Sequence, residues 1–180
     1  MIKKIAVIGA GGWGTAISIL LAKRKNHVVL YEVFKQYAKI LDKKRENIIF
    51  LKGVKIPKNI IITNFLSEAL NNADVIVLAV PSKYIKNVLR KIKNKINKNT
   101  LVLSVIKGID CKSLKRITEV IKKNIKNKIA VLSGPSHAEE VSRKVPTAVV
   151  IASKHKQVAK ILQHLFSNDY FRVYTSEDVI

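Results

Sequence analysis

The sequence predicts an α/β domain with a doubly wound, mostly parallel sheet and helices on both faces. Three observations predict it. Short, continuous apolar runs recur along the chain, as strands buried on both faces require. Segments with helical spacing separate the runs. A glycine-rich turn joins the first run to the first of those segments.

The first strand is Lys4–Ile8, and Gly9–Gly14 interrupts the apolar character before an amphipathic segment over Ala16–Lys25. Val28–Tyr31 is the next strand. Lys43–Lys58 is basic, breaks the rhythm and carries Gly53 and Pro57, so it reads as irregular. Ile60–Thr63 and Val75–Val80 are strands, Tyr84–Ile96 is helical and Leu101–Ile106 is a strand again. Over Leu114–Ile125, the residues Leu114, Ile117, Val120, Ile121 and Ile125 form one apolar stripe, which leaves the lysines on a solvated face. Ile129–Leu132 is followed at once by Gly134 and Pro135, making Ser133–Pro146 a second irregular segment. Ala148–Ala152 and Val158–Phe166 add a strand and a helix. No repeat or low-complexity linker divides residues 1–180, which read as one domain. Sheets of this kind bind ligands outside the carboxyl ends of their strands, so irregular segments at those ends are candidate site loops.

A chain of 180 residues that is 48% hydrophobic supports a sizeable core and excludes a disordered protein. The net charge of +22 would draw nucleic acid, anionic membranes or phosphorylated metabolites. Lysine far outnumbers arginine, however, and Lys91–Asn99 and Lys122–Lys128 mix Lys, Asn and Ile as a coding bias toward A and T would. Nucleic-acid readers lean instead on Arg and aromatic stacking, so these lysines read as solvated surface with no specific nucleic-acid partner. The lone Cys111 makes no intrachain disulfide and no Cys/His spacing suits a metal, which together predict a cytoplasmic, metal-free protein. The start Met1–Ile8 resembles a signal peptide until Gly9–Gly14 ends its apolar run, and no stretch suits a membrane span.

Gly9-Ala10-Gly11-Gly12-Trp13-Gly14 matches G-x-G-x-x-G between a strand and a helix, the context that the Rossmann-type dinucleotide fingerprint demands. Gly9 makes the tight turn, Gly11 lets the backbone approach a pyrophosphate, and Gly14 lets helix and strand pack closely. The anion would rest on the free amides and positive end of the helix. Glu32 closes the second strand about 20 residues beyond the loop, where an acid accepts the adenosine ribose hydroxyls. A carboxylate there repels a 2′-phosphate, so NAD is expected rather than NADP, with the adjacent Val33 as an alternative contact.

Four ordered motifs extend this reading. Gly9–Ala16, Ala79-Val80-Pro81-Ser82, Ile106-Lys107-Gly108-Ile109 and Leu132–Val141 give the chain a resemblance to the NAD(P)-dependent glycerol-3-phosphate dehydrogenases over essentially its whole length. Pro146–Val149 and Phe171–Tyr174 continue it. The resemblance implies hydride transfer between NAD(H) and the pair dihydroxyacetone phosphate and glycerol 3-phosphate, in the supply of phospholipid precursors. It implies cofactor contacts from Gly12, Trp13, Val33 and Ala138, with Tyr84 near the nicotinamide side. Lys107 would touch both cofactor and substrate, and Gly134 and Ser136 would line the substrate. Lys107 at a strand's carboxyl end suits that role, because a compact ammonium there can neutralise phosphate charge or hold a substrate oxygen. Gly134-Pro135-Ser136 is expected to start a short helix whose amides and hydroxyl hold a polar substrate group, unless Ser136 serves only as its N-cap.

The resemblance assigns proton transfer to a lysine of a helical domain that relatives carry beyond the region matched here. No catalytic residue is therefore expected within this chain, which would bind cofactor without turnover, and His137 is not assigned as a base. A homodimer is the expected state of a full-length enzyme. Phe50-Leu51-Lys52-Gly53 departs from the family's Tyr-Leu-Pro-Gly, and Val33 stands where relatives often place Arg or His. The sequence leaves two alternatives. One is the cofactor domain of a β-hydroxyacid-type dehydrogenase, distinguished by the Lys107-Gly108 and Ser133–Ser136 segments, and the other is a basic nucleic-acid-binding module.

Overall fold

In the computed structural model, which describes residues 2–23 and 26–179, the apolar runs become strands of one sheet. The chain opens with β1 (Lys4–Ile8), α1 (Gly12–Ala22), β2 (His27–Tyr31) and α2 (Lys35–Lys44). A hairpin of β3 (Glu46–Asn47) and β4 (Leu51–Lys55) leads to β5 (Ile60–Thr63) and α3 (Leu66–Leu70). Then come β6 (Val75–Leu78), a 3-10 turn at Ser82–Tyr84, α4 (Ile85–Ile92), β7 (Leu101–Ser104) and α5 (Ile117–Asn124). The chain continues through β8 (Ile129–Ser133), α6 (Ala138–Ser142), β9 (Thr147–Ala152), α7 (Lys156–Phe166) and β10 (Phe171–Ser176).

The eight-stranded sheet runs β10-β9-β8-β7-β6-β1-β2-β5, and β3 and β4 pair separately and antiparallel. Pairings in the large sheet are parallel except β8 with β9. From β1 the chain moves out to β2 and β5 and then returns to β6 on the other flank of β1. That reversal makes the carboxyl end of β1 a topological switch point, the place where such sheets open a crevice.

Two apolar layers cover the sheet. Ile17, Leu21, Leu41, Leu162 and Phe166 pack on one face, and Ala69, Leu89, Val120 and Ile121 on the other. Ile5, Ile76 and Val77 are wholly buried within the strands, which explains why those strands read as unbroken apolar runs. Exposed lysines stand on the outer surfaces of both layers, among them Lys39, Lys43, Lys156 and Lys160 on one and Lys91, Lys122 and Lys123 on the other. The positive charge is thus distributed over both helical faces.

Several expected boundaries shift for identifiable reasons. The helix expected over Ala16–Lys25 starts at Gly12, because the glycine turn feeds directly into it; Lys25 lies outside the described residues. The helix expected from Leu114 starts at Ile117. Leu114 adopts φ 54° and is 75% exposed, so it leaves the stripe, and the helix opens instead at Arg116, whose backbone N–H donates to the Glu119 carboxylate at 3.0 Å. Tyr84 belongs to the 3-10 turn, and the following helix ends at Ile92 rather than Ile96. Lys43–Lys58 is not irregular: it ends α2 and folds into the β3–β4 hairpin. Ser133–Pro146 contains α6, which begins at Ala138 and not at the Gly134-Pro135-Ser136 turn. His137 occupies the N-cap position, so Ser136 neither caps this helix nor starts it.

Candidate functional site

Close packing dictates the glycine turn between β1 and α1. A Cβ on Gly14 would lie 1.9 Å from the Gly9 carbonyl oxygen, and one on Gly9, where φ is +111°, would lie 2.9 Å from the Ala79 carbonyl oxygen. Gly11 differs, since a Cβ there would meet nothing within 4 Å. At Gly12 the limit comes from the hairpin: a Cβ would stand 2.5 Å from the Phe50 carbonyl oxygen. The turn is therefore closed on the sheet side and open where an incoming group would sit. Helix α1 carries no side-chain cap at Gly11 and no acidic residue in its first turn. Its leading amides and positive end are left for an anion.

Glu32, at the end of β2, is 7% exposed. Its carboxylate accepts the Phe34 N–H at 2.9 Å, with the backbone amides of Ala10 and Val33 close by. Burial pushes its pKa up, and these three amides oppose that shift by favouring the charged form. A carboxylate offers about four acceptor positions. The Phe34 bond ties one of them to the turn that follows β2. Val33 and Phe34 follow it on the surface at 53% and 71% exposure, and Tyr84 is exposed beyond β6, the strand on the other side of β1.

The loops after β7 and β8 supply the second half. The Trp13 indole N–H donates to the Val105 carbonyl at 3.1 Å, fastening the start of α1 to the β7 end. The Lys107 ammonium lies 5.9 Å from the Trp13 ring centroid and donates to the Ser136 carbonyl at 2.6 Å. Trp13, Lys107 and Ser136 thus meet at one edge although they are distant in sequence. Ser136 is buried, and its hydroxyl donates to the Gly134 carbonyl at 3.3 Å, so it meets Lys107 through its backbone oxygen. Gly134 packs against β9, its φ being +146° and a Cβ there falling 3.0 Å from Val149 Cα. Ala138 completes the edge, its Cβ lying 3.7 Å from the Cβ position of Gly12.

Two features escaped the sequence reading. Asn47 is buried and bonded to the glycine turn, as described below. Asp110, in the loop that carries Lys107, accepts bonds from the Lys86 ammonium at 2.5 Å and from both the backbone and hydroxyl of Ser113. The Lys86 bond above all, and then those from Ser113, hold the Asp110 pKa down at about 2. The folded value lies below the usual value of about 3.9, so this pairing stabilises the fold fully above about pH 4 and is lost as pH falls toward 2. A carbon-detected NMR titration should place the Asp110 carboxyl midpoint at about 2, and Lys86→Met should raise it toward the ordinary aspartate range. A midpoint unmoved by that substitution would show that Lys86 does not hold the loop.

Among the described residues no group of three or more His, Cys, Asp or Glu could hold a metal ion, and no helix is long and apolar enough to cross a membrane.

A glycine turn at the switch point, an open helix start and a lysine beside a tryptophan define a Rossmann-type dinucleotide-binding domain. Residues 4–159 match the family described as "NAD-dependent glycerol-3-phosphate dehydrogenase N-terminus", and the chain belongs to that family. A glycerol-3-phosphate dehydrogenase [NAD(P)+] of Fusobacterium nucleatum is 43% identical over 180 residues, covering 98% of this chain and 54% of that protein. The crystal structure of glycerol-3-phosphate dehydrogenase from Coxiella burnetii superposes with a TM-score of 0.94 at 30% identity, covering 99% of this chain and 55% of that one. The Plasmodium falciparum glycerol-3-phosphate dehydrogenase structure follows at 0.91 and 28%, covering 98% and 53%. The chain spans about half the length of the curated relatives it matches.

Proposed function

We propose that this chain forms the cofactor-binding half of an enzyme that transfers hydride between NAD(H) and dihydroxyacetone phosphate or glycerol 3-phosphate. The observation that carries the reading is the convergence of the open α1 start with Trp13, Lys107 and the Ser136 backbone at one sheet edge. When bound, the nicotinamide cofactor supplies the hydride chemistry, and the protein supplies position and charge. The amides at Gly11, Gly12 and Trp13 receive the pyrophosphate, with Gly9 and Gly14 holding the turn that presents them. Glu32 keeps a negative charge beside the adenosine side, where Val33 offers an apolar surface. Tyr84 and Ala138 flank the nicotinamide end. Lys107, with Gly134 and Ser136, receives the phosphorylated substrate, its ammonium screening the substrate's negative charge. No residue of this chain is assigned proton transfer, which we place on a lysine of the helical domain that the family resemblance adds.

In the full-length enzyme we propose a homodimer in the cytoplasm, in keeping with the single free Cys111. The charge spread over both helical layers singles out no one face for nucleic acid.

Trp13 reports directly on this reading, being the only tryptophan and part of the site. Titration with NADH should quench its fluorescence saturably at low and high salt alike, and more tightly than NADPH does. Quenching abolished by salt would mark a polyelectrolyte effect, and equal affinity for the two cofactors would remove the discriminating role of Glu32.

A further inference from the structure

Asn47 lies at the tip end of β3 and is fully buried. Its carboxamide makes four hydrogen bonds. The Oδ1 oxygen accepts the Tyr37 hydroxyl at 2.6 Å and the Phe50 N–H at 3.0 Å. The Nδ2 nitrogen donates to the Ala10 carbonyl at 2.9 Å and to Thr15 Oγ1 at 2.8 Å. Two lone pairs and two N–H groups are all that an amide side chain has, so its capacity is used in full. These bonds join α2, the hairpin turn, the glycine turn and α1 at one atom group.

The bond to Ala10 has a directional consequence. The Ala10–Gly11 peptide is trans and planar, so its C=O and N–H point in opposite directions. With the carbonyl drawn to Asn47, the Gly11 N–H is turned away from the buried carboxamide. The Gly9 N–H donates to the Tyr31 carbonyl at 3.1 Å, so the turn is pinned on both sides of Ala10. The Phe50 bond adds a second restraint, holding the hairpin turn against Gly12, where a Cβ would be 2.5 Å from the Phe50 carbonyl oxygen.

We propose that Asn47 is a positioning residue for the dinucleotide: by holding the Ala10 carbonyl it aims the Gly11 amide at the pyrophosphate, and so sets affinity for the diphosphate part of the ligand alone. The proposal rests on the cofactor reading above and adds to it a residue outside the glycine motif. Asn47→Asp tests it with nearly unchanged shape. Aspartate still accepts from Tyr37 and Phe50 but cannot donate to Ala10, whose carbonyl it repels. Tyr37→Phe is the control, since it removes a bond to the same side chain without touching the turn.

Binding of NADH, ADP and adenosine to this chain is measured by NMR titration, with the Gly11 amide as the site reporter. In the unsubstituted chain ADP should shift the Gly11 amide and adenosine should not. Asn47→Asp should weaken NADH and ADP by the same factor, about tenfold or more, as expected for losing an oriented hydrogen bond, while adenosine affinity stays unchanged. Tyr37→Phe should lower the melting temperature yet leave all three affinities intact. If NADH and ADP bind the unsubstituted chain but Asn47→Asp binds them as well, or weakens adenosine equally, the positioning role is overturned while the cofactor reading stands. If Asn47→Asp does not fold, the ADP-dependent shift of Gly11 decides, and its absence overturns the proposal. Failure of the unsubstituted chain to bind NADH and ADP overturns the cofactor reading and this proposal with it.

Discussion

Gly14→Ala is expected to abolish NADH binding and to destabilise the domain by about 3 kcal/mol, at the upper end of what overpacking a close-packed interior costs. The added methyl would lie 1.9 Å from the Gly9 carbonyl oxygen and 3.2 Å from the Ala79 methyl. Backbone lies on the near side of the contact, so no flexible side chain can swing away. Alanine gains about 1 kcal/mol in intrinsic helix propensity over glycine, which is too little to offset a clash between the first turn of α1 and the end of β1. Relief requires α1 to move off the sheet, and that movement carries Gly11, Gly12 and Trp13 away from their places. Urea unfolding and NADH titration of Trp13 fluorescence read the two effects separately. Unchanged stability with retained binding would show that the turn relaxes more freely than its packing implies.

In the full-length enzyme, Lys107→Met should lower kcat/KM for dihydroxyacetone phosphate by about a hundredfold or more, the scale of losing one charged or hydrogen-bonding group from a preorganised site. Methionine keeps an unbranched stem but loses the ammonium that links the β7 end to Ser136 and faces the Trp13 ring. The loss should not be restored by Lys107→Arg, whose planar fork cannot replace a compact point charge at the same distance. Steady-state kinetics with varied substrate at saturating NADH measures it. An unaltered kcat/KM would remove Lys107 from the substrate site and reduce it to a tether for the Ser136 loop.

The glycine turn was legible because its determinants are local. Strand, turn and helix are consecutive, and Gly9 and Gly14 answer to contacts within that unit or with the adjoining strand end. The strand runs were legible because burial on both faces leaves no polar alternation. Helices α2 and α3 were not, since α2 buries only Ala38 and Leu41 among its lysines and α3 has five residues. Strand β10 alternates buried Phe171 and Val173 with exposed neighbours, a pattern too short to separate from a loop. Asn47 left one faint signal, a lone amide before the apolar Ile48-Ile49-Phe50. Burial obliges such a group to find partners, but nothing in the sequence says which.

Glu32 marks the same boundary. Its place after the second strand was readable, whereas its burial and the bond its carboxylate accepts from the Phe34 amide were not. The sequence by itself determined the fold class, the glycine turn, the family and the candidate residues, because each depends on periodicity or on ordered motifs along the chain. The tertiary structure alone decided that Trp13 binds Val105, that Lys107 meets the backbone of Ser136 while that residue's hydroxyl turns inward, and that a hairpin amide holds the glycine turn. The reason is physical: those bonds join groups far apart along the chain, and which donor reaches which acceptor depends on how strands and loops pack in space.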